Sequence, residues 1–215
     1  MKLPDIHEKA ELLADLKERN HDGFISQHII RKWFHDRYST SKHLWVLYSI
    51  VHGLKSEVIV EVGFGRSTFV LAKAAHELGA KFFCCDRYDY RGYLSPQEND
   101  LIDFTVGDAK NLLAKLNFGV DFMFLDYLSS RERTAESCYK AFKRFLHYIK
   151  QNGVLTTHEA VEKDYNVMSA LKKLRKHSGV EIASLPYNYG LGIIRNISDS
   201  KYGKIADNWK KKNPK

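Results

Sequence analysis

Five short apolar runs punctuate the middle of the chain: Val58 to Val62, Lys81 to Cys85, Ile102 to Val106, Phe122 to Leu125 and Val154 to Thr157. Most are rich in β-branched or aromatic residues and too short for a buried helix, so each reads as a strand. Between them the period becomes helical, over Phe69 to Leu78 and through Cys138, Phe142, Phe145, Leu146 and Ile149. Strand and helix in alternation predict a parallel sheet covered on both faces, because parallel neighbours need a crossover that lies on the sheet. The end of the chain breaks that rhythm. A helix carrying Met168, Leu171 and Leu174 leads to VEIASLP, the short link YNYG and then LGIIRN. A link that short permits only antiparallel pairing. The expectation is an α/β three-layer sandwich whose seven-stranded, mostly parallel sheet ends in an antiparallel hairpin.

The first fifty-odd residues follow a different pattern. Ile6, Leu12, Leu13 and Leu16 make one amphipathic helix from about Asp5 to Glu18, and Leu47, Ile50, Val51 and Leu54 make a second apolar stripe. The expected organisation is an N-terminal helical extension over 1–55, the main domain over 56–198 and a basic tail over 199–215. The chain has no internal repeat, low-complexity segment or Pro/Gly-rich linker.

Composition narrows the setting. Of 215 residues, 44% are hydrophobic and 28% charged, and no apolar run approaches the roughly 20 residues that span a bilayer. The N-terminal stretch MKLPDIHEKAELLADLKERN is charged throughout and lacks the apolar core of a secretory signal, so a cytoplasmic protein is expected. Three cysteines without framework spacing suggest reduced thiols, with Cys84 and Cys85 as small core residues on opposite faces of one strand. Much of the net charge of +8 sits in KYGKIADNWKKKNPK, which reads as a solvated tail or as an arm for nucleic acid, the first being favoured. His35, His43 and His52 lack metal-ligand spacing and are expected at a surface or an interface.

The chemistry concentrates at strand ends. In VIVEVGFGRSTF a buried strand ending in Glu61 meets Gly63-Phe64-Gly65 and then a helix that Ser67 or Thr68 could cap. Such a turn lets backbone approach a ligand closely, and ligands of parallel α/β sheets bind beyond the carboxyl ends of the strands. Asp86 ends the next strand, 21 residues beyond Gly65, the spacing at which a nucleotide-binding unit offers a carboxylate to a ribose diol. Asp108 and Asp126 follow the third and fourth runs. A nicotinamide dinucleotide and S-adenosylmethionine both carry adenosine. The third small position of the dinucleotide motif is Thr68 here, and a β-branched residue obstructs close helix packing. Several carboxylates also suit a cationic sulfonium better than a pyrophosphate.

The E-x-G-x-G-R-S-T turn, the strand-end acids and the LP…GLGIIR hairpin together resemble the class I S-adenosylmethionine-dependent methyltransferases of small-molecule type, over about Leu44 to Asn196. The resemblance implies a Rossmann-like fold and S-adenosyl-L-methionine as cofactor. It also implies that Glu61, Gly63, Gly65 and Ser67 line the methionine end, that Asp86 holds the ribose, and that Asp108 and Ala109 lie by the adenine. Asp126, which ends the fourth strand, and His158-Glu159, which follow the fifth, are the candidate catalytic residues. Related families place divalent-metal ligands near these strand ends. Asp126 and Glu159 partly fit, but DYLSSRERT departs from the Asp-Gly-x-His pattern, so a metal-independent route is favoured, in which His158 is either a general base or a polar strand-end residue with no catalytic part. Tyr88 and Tyr90 in RYDYRGY either stack on a ligand or pack down. The absence of an Asn/Asp-Pro-Pro-Tyr/Phe run after the fourth strand speaks against amino-directed nucleic-acid methylation. The expected partner is a small-molecule methyl acceptor, with no membrane; nucleic acid through the tail and a homodimer stay open. The alternative reading is a non-catalytic adenosine-ligand or RNA-binding protein that keeps the fold.

Overall fold

The computed structural model describes residues 9–36, 40–126, 134–161 and 166–198. The chain divides into two compact units, Met1–Leu113 and Ala114–Lys215. The expected tail over 199–215 and the start of the first helix lie outside the described residues.

The first unit begins with three helices, α1 (Lys9–Asp15), α2 (Gln27–Phe34) and α3 (Leu44–Gly53). It continues through β1 (Val58–Val62), α4 (Arg66–Leu78), β2 (Lys81–Asp86), α5 (Pro96–Leu101), β3 (Ile102–Val106) and α6 (Ala109–Lys115), whose last two residues fall in the second unit. The short α5 and α6 carry too little apolar period to be read from the sequence. Their ends are set by polar groups instead: Ser95 Oγ accepts the Glu98 N–H at 3.1 Å, and Glu98 Oε2 accepts the Ser95 N–H at 2.9 Å, a reciprocal cap. Every residue of β1 is buried, as a central parallel strand requires. Trp33 of α2 meets Phe69 of α4 edge-on at 6.3 Å, and Ile29, Ile30, Leu47, Val51 and Val70 fill the same core. The N-terminal helices therefore share a compact unit with β1, β2 and β3.

The second unit holds β4 (Val120–Leu125), α7 (Ala135–Leu146), β5 (Ile149–His158), α8 (Val167–Leu174), β6 (Val180–Leu185) and β7 (Leu191–Asn196). Its core includes Phe122, Phe124, Phe142, Phe145, Leu155 and Ile194. Ile149 belongs to β5 rather than to the preceding helix; its apolar side chain satisfies either period, and the pairing of Ile149 with Val120 decides. The register slips between Val120 and Phe122, which absorbs the extra residues of the longer β5.

The seven strands run in the order β3-β2-β1-β4-β5-β7-β6. β1 and β2, β2 and β3, and β4 and β5 pair parallel, while β7 pairs antiparallel with both β5 and β6. This is the expected mixed sheet with its terminal hairpin. Among the described residues no helix is long and apolar enough to cross a membrane.

Candidate functional site

The turn after β1 is built from backbone geometry. Gly63 has φ +109, a conformation that side chains with a Cβ rarely adopt. Its N–H reaches the Cys85 carbonyl at 2.9 Å and so extends the β1–β2 ladder into the turn. The next amide, Phe64 N–H, donates to Asp86 Oδ2 at 3.0 Å, which ties the glycine turn to the acid at the end of β2. Gly65 has an extended backbone, so conformation does not demand glycine there. A Cβ at Gly65 would instead enter open space, with Ser67 Oγ as its nearest neighbour at 4.0 Å.

The helix starts earlier than the sequence suggested. Gly65 is the cap residue, its N–H bonds Thr68 Oγ1 at 3.1 Å, and its carbonyl accepts the Thr68 N–H at 3.1 Å. Thr68 thus serves the cap from the third helical position, whereas Ser67 lies within the first turn. The Ser67 hydroxyl is fully buried and has no hydrogen-bond partner among the described residues. Leaving a buried hydroxyl unsatisfied costs about 1–3 kcal/mol. An open space beside a glycine and an unsatisfied hydroxyl next to it fit a bound polar ligand.

Glu61 lies two residues before Gly63, fully buried in β1, and accepts a weak bond from the Cys84 thiol at 3.7 Å. Burial, reinforced by the Glu61 charge, pushes that thiol well above its ordinary pKa. Cys85 is pushed up to about 12, mainly by burial. Both are buried core residues with free thiols, as expected.

Asp86 is half-buried; its Oδ2 accepts the Phe64 amide and its Oδ1 the Tyr88 amide at 3.1 Å. Burial raises its pKa, and backbone bonds from Tyr88, Phe64 and Arg87 oppose the rise. A carboxylate offers about four acceptor sites, more than these amides fill, so Asp86 can still accept from a ribose hydroxyl. Tyr90 stacks on Phe64 with ring centroids 4.8 Å apart and planes 10° from parallel, so its ring packs down on the turn. Tyr88 remains exposed. Val106, paired in register with Asp86, is also exposed, an apolar side chain beside the ribose candidate that sequence periodicity alone did not single out. Asp108 is exposed and caps α6, its Oδ1 accepting the Lys110 N–H at 2.8 Å. It sits two residues beyond β3 rather than at its end, and Ala109 opens the helix.

In the second unit the structure brings Asp126 and His158 together. Nδ1 of His158 lies 3.2 Å from Asp126 Oδ1, and Nε2 lies 3.3 Å from the Asn188 carbonyl oxygen. Both ring nitrogens thus face acceptors, and only the imidazolium can donate to both. Burial, the largest influence, pushes the imidazole pKa down. The Asp126 hydrogen bond and charge, the Glu159 charge and the Asn188 bond together outweigh it, and the net shift is upward. Glu159 is buried with φ +60.

The link between β6 and β7 curls in a left-handed run, with φ +41 at Asn188, +62 at Tyr189 and +89 at Gly190. It is fastened to the end of β5 by Ala160 N–H to Gly190 O at 3.2 Å and Val161 N–H to Tyr189 O at 2.9 Å. Tyr189 stands edge-on to His158 at 6.5 Å and is exposed, as is Tyr187. Sequence reasoning placed a turn in YNYG but missed its contact with His158, which depends on the antiparallel register His158↔Leu191.

No group of three or more His, Cys, Asp and Glu among the described residues is arranged to hold a metal ion. Residues 127–133, which hold most of the DYLSSRERT segment, lie outside the described residues. His52 contacts Glu77 at 3.0 Å, and His35 is exposed. His43, by contrast, is fully buried at the start of α3, which corrects the surface expectation.

Residues 60–160 match a family profile described as a methyltransferase domain. No curated protein matches the sequence. Among solved structures, a candidate caffeoyl-CoA O-methyltransferase from Staphylococcus aureus is similar at TM-score 0.60 and 14% identity, covering 89% of this chain and 100% of that one. A methyltransferase from Geobacter sulfurreducens is similar at TM-score 0.60 and 16% identity, covering 91% of each chain. An SAH-bound methyltransferase from Podospora anserina is similar at TM-score 0.56 and 15% identity, covering 91% of this chain and 98% of that one. The sheet order and the glycine turn tied to Asp86 agree with the methyltransferase-domain profile matched over residues 60–160 and with the fold that the chain shares with these solved structures.

Proposed function

We propose that this protein transfers a methyl group from S-adenosyl-L-methionine to an oxygen or nitrogen of a small-molecule acceptor. The observation that carries the reading is the Phe64 N–H bond to Asp86, set beside the open space at Gly65 and the unsatisfied Ser67 hydroxyl. Asp86 would hold the ribose diol, Val106 and Tyr88 would offer apolar surface to the adenine with Asp108 and Ala109 nearby, and Ser67 with the turn amides would receive the amino-acid end. Buried Glu61 supplies negative charge behind the turn, which favours a cationic sulfonium. Bound there, the cofactor supplies an electrophilic methyl group.

If the acceptor is a hydroxyl, its proton must be taken up. An imidazolium cannot do that. Asp126 would then accept the proton, a reading supported by the two acceptors that face the His158 ring, with His158 holding that carboxylate in place and Glu159 supporting the histidine charge. Positioning supplies much of the remaining acceleration, as expected for a transfer between two bound reactants. A divalent ion near Asp126 and Glu159 would instead orient the acceptor oxygen, and turnover with and without chelator distinguishes the routes. A cytoplasmic setting accords with three buried, free thiols.

Titration calorimetry with S-adenosylhomocysteine tests the cofactor. Micromolar binding, together with transfer of labelled methyl to one of a panel of phenols, alcohols and amines, is the expected result. Tight binding of a nicotinamide dinucleotide and none of S-adenosylhomocysteine would overturn it.

A further inference from the structure

We infer that Asp36 and Trp33, on the N-terminal helical segment, are positioning residues for the cofactor turn, because they hold Arg66 at the start of α4 and so couple folding of that segment to ligand binding. The inference rests on the cofactor reading above. Arg66 stands between Gly65, which faces open space, and Ser67, whose hydroxyl has no partner among the described residues. Its side chain is only 3% exposed and reaches to the end of α2, where Nη1 is paired with Asp36 Oδ2 and the guanidinium carbon lies 5.1 Å over the Trp33 ring.

A cation at a helix N-terminus is opposed by the helix dipole, and a sulfonium ligand nearby would add to that repulsion. Asp36 neutralises both. The pair differs from a surface ion pair, whose loss costs little. Removing Asp36 takes this counter-charge away from a buried cation, which disfavours the present placement of the first turn of α4.

A second arginine acts on the other cofactor loop. Arg19, between α1 and α2, donates through Nη2 to the Tyr93 carbonyl at 2.7 Å and to buried Glu98 at 2.8 Å, and its guanidinium lies 5.6 Å over the Phe69 ring. The loop that follows Asp86 is therefore tied to the same segment that holds the Gly65 turn. Both candidate cofactor loops are thus tied to residues from 19 to 36.

The test uses the full chain and S-adenosylhomocysteine. Asp36→Asn is expected to weaken binding at least tenfold, and Asp36→Glu, which restores the charge, to return it to within threefold of the parent. Hydrogen exchange supplies a readout that a merely structural role would not move: amides of residues 27–36 exchange more slowly when the ligand is bound to the parent, and this protection disappears in Asp36→Asn. Parent binding without any change at residues 27–36, or Asp36→Asn binding within twofold of the parent, overturns the inference and leaves the cofactor reading intact. A parent that does not bind S-adenosylhomocysteine overturns both. Should Asp36→Asn fail to fold, the exchange measurement on the parent decides.

Discussion

Replacing Asp86 by Asn keeps its size and removes its charge. In the unliganded protein Asp86 accepts Phe64 N–H at 3.0 Å and Tyr88 N–H at 3.1 Å, so one amide oxygen can still serve one donor while the NH2 group faces the other. A ribose diol would add two donors to the same carboxylate. Hydrogen bonds to a charged group contribute about 1.5–3 kcal/mol. Loss of that range, at about 1.4 kcal/mol per tenfold, predicts S-adenosylhomocysteine binding weakened by roughly 10- to 150-fold. The burial that raises the Asp86 pKa has a further consequence. Affinity in the parent should fall as pH drops towards that raised value, because protonation replaces an acceptor with a donor, and this acid limb should be missing from Asp86→Asn. Titration calorimetry between pH 4.5 and 8 reads both effects, with circular dichroism confirming the fold. Affinity within twofold of the parent in a folded variant would remove Asp86 from the ribose site and refute the reasoning.

Ser67→Ala removes a buried hydroxyl that lacks a partner, so thermal melting of the unliganded protein should be unchanged or raised by up to about 1 kcal/mol, while S-adenosylhomocysteine binding weakens about 5- to 10-fold; a clear loss of unliganded stability would show that the hydroxyl is bonded within the fold. The His158 ring proton, followed by NMR, should titrate above 6.5, and Asp126→Asn should lower its midpoint. Because the folded-state value is raised, this histidine contributes stability that is fully present below about 6.5 and is lost as pH rises through the folded midpoint, so His158→Gln should flatten that part of the melting-temperature profile. A midpoint at or below 6.5 would contradict the two-acceptor geometry. Gly190→Ala places a Cβ 2.7 Å from Val161 Cγ2 and 2.8 Å from its backbone nitrogen, at φ +89, so it should destabilise the protein by about 2 kcal/mol or more; a melt within 1 °C of the parent would show that the link readjusts freely.

The sequence by itself determined the central strands and their directions, though not the full length of β5. β1 and β3 occupy the predicted residues because buried parallel strands read as unbroken apolar runs bounded by turn residues. The antiparallel β6–β7 pair was legible from the shortness of YNYG. The spacing from Gly65 to Asp86 was legible too, since a helix that crosses from one parallel strand to the next has a nearly fixed length. What remained hidden depended on contacts between residues distant in sequence. Nothing local to Arg66 shows that its charge is buried against Asp36 and Trp33, 30 and 33 positions earlier. Nothing local to His158 shows that an Asn188 carbonyl faces its second nitrogen and so favours the charged ring over the base expected from its usual pKa. His43 reads as a surface residue by type yet is enclosed by packing around α3. A side chain's type and spacing are written along the chain, but its protonation and its burial depend on partners that only the tertiary structure brings to it.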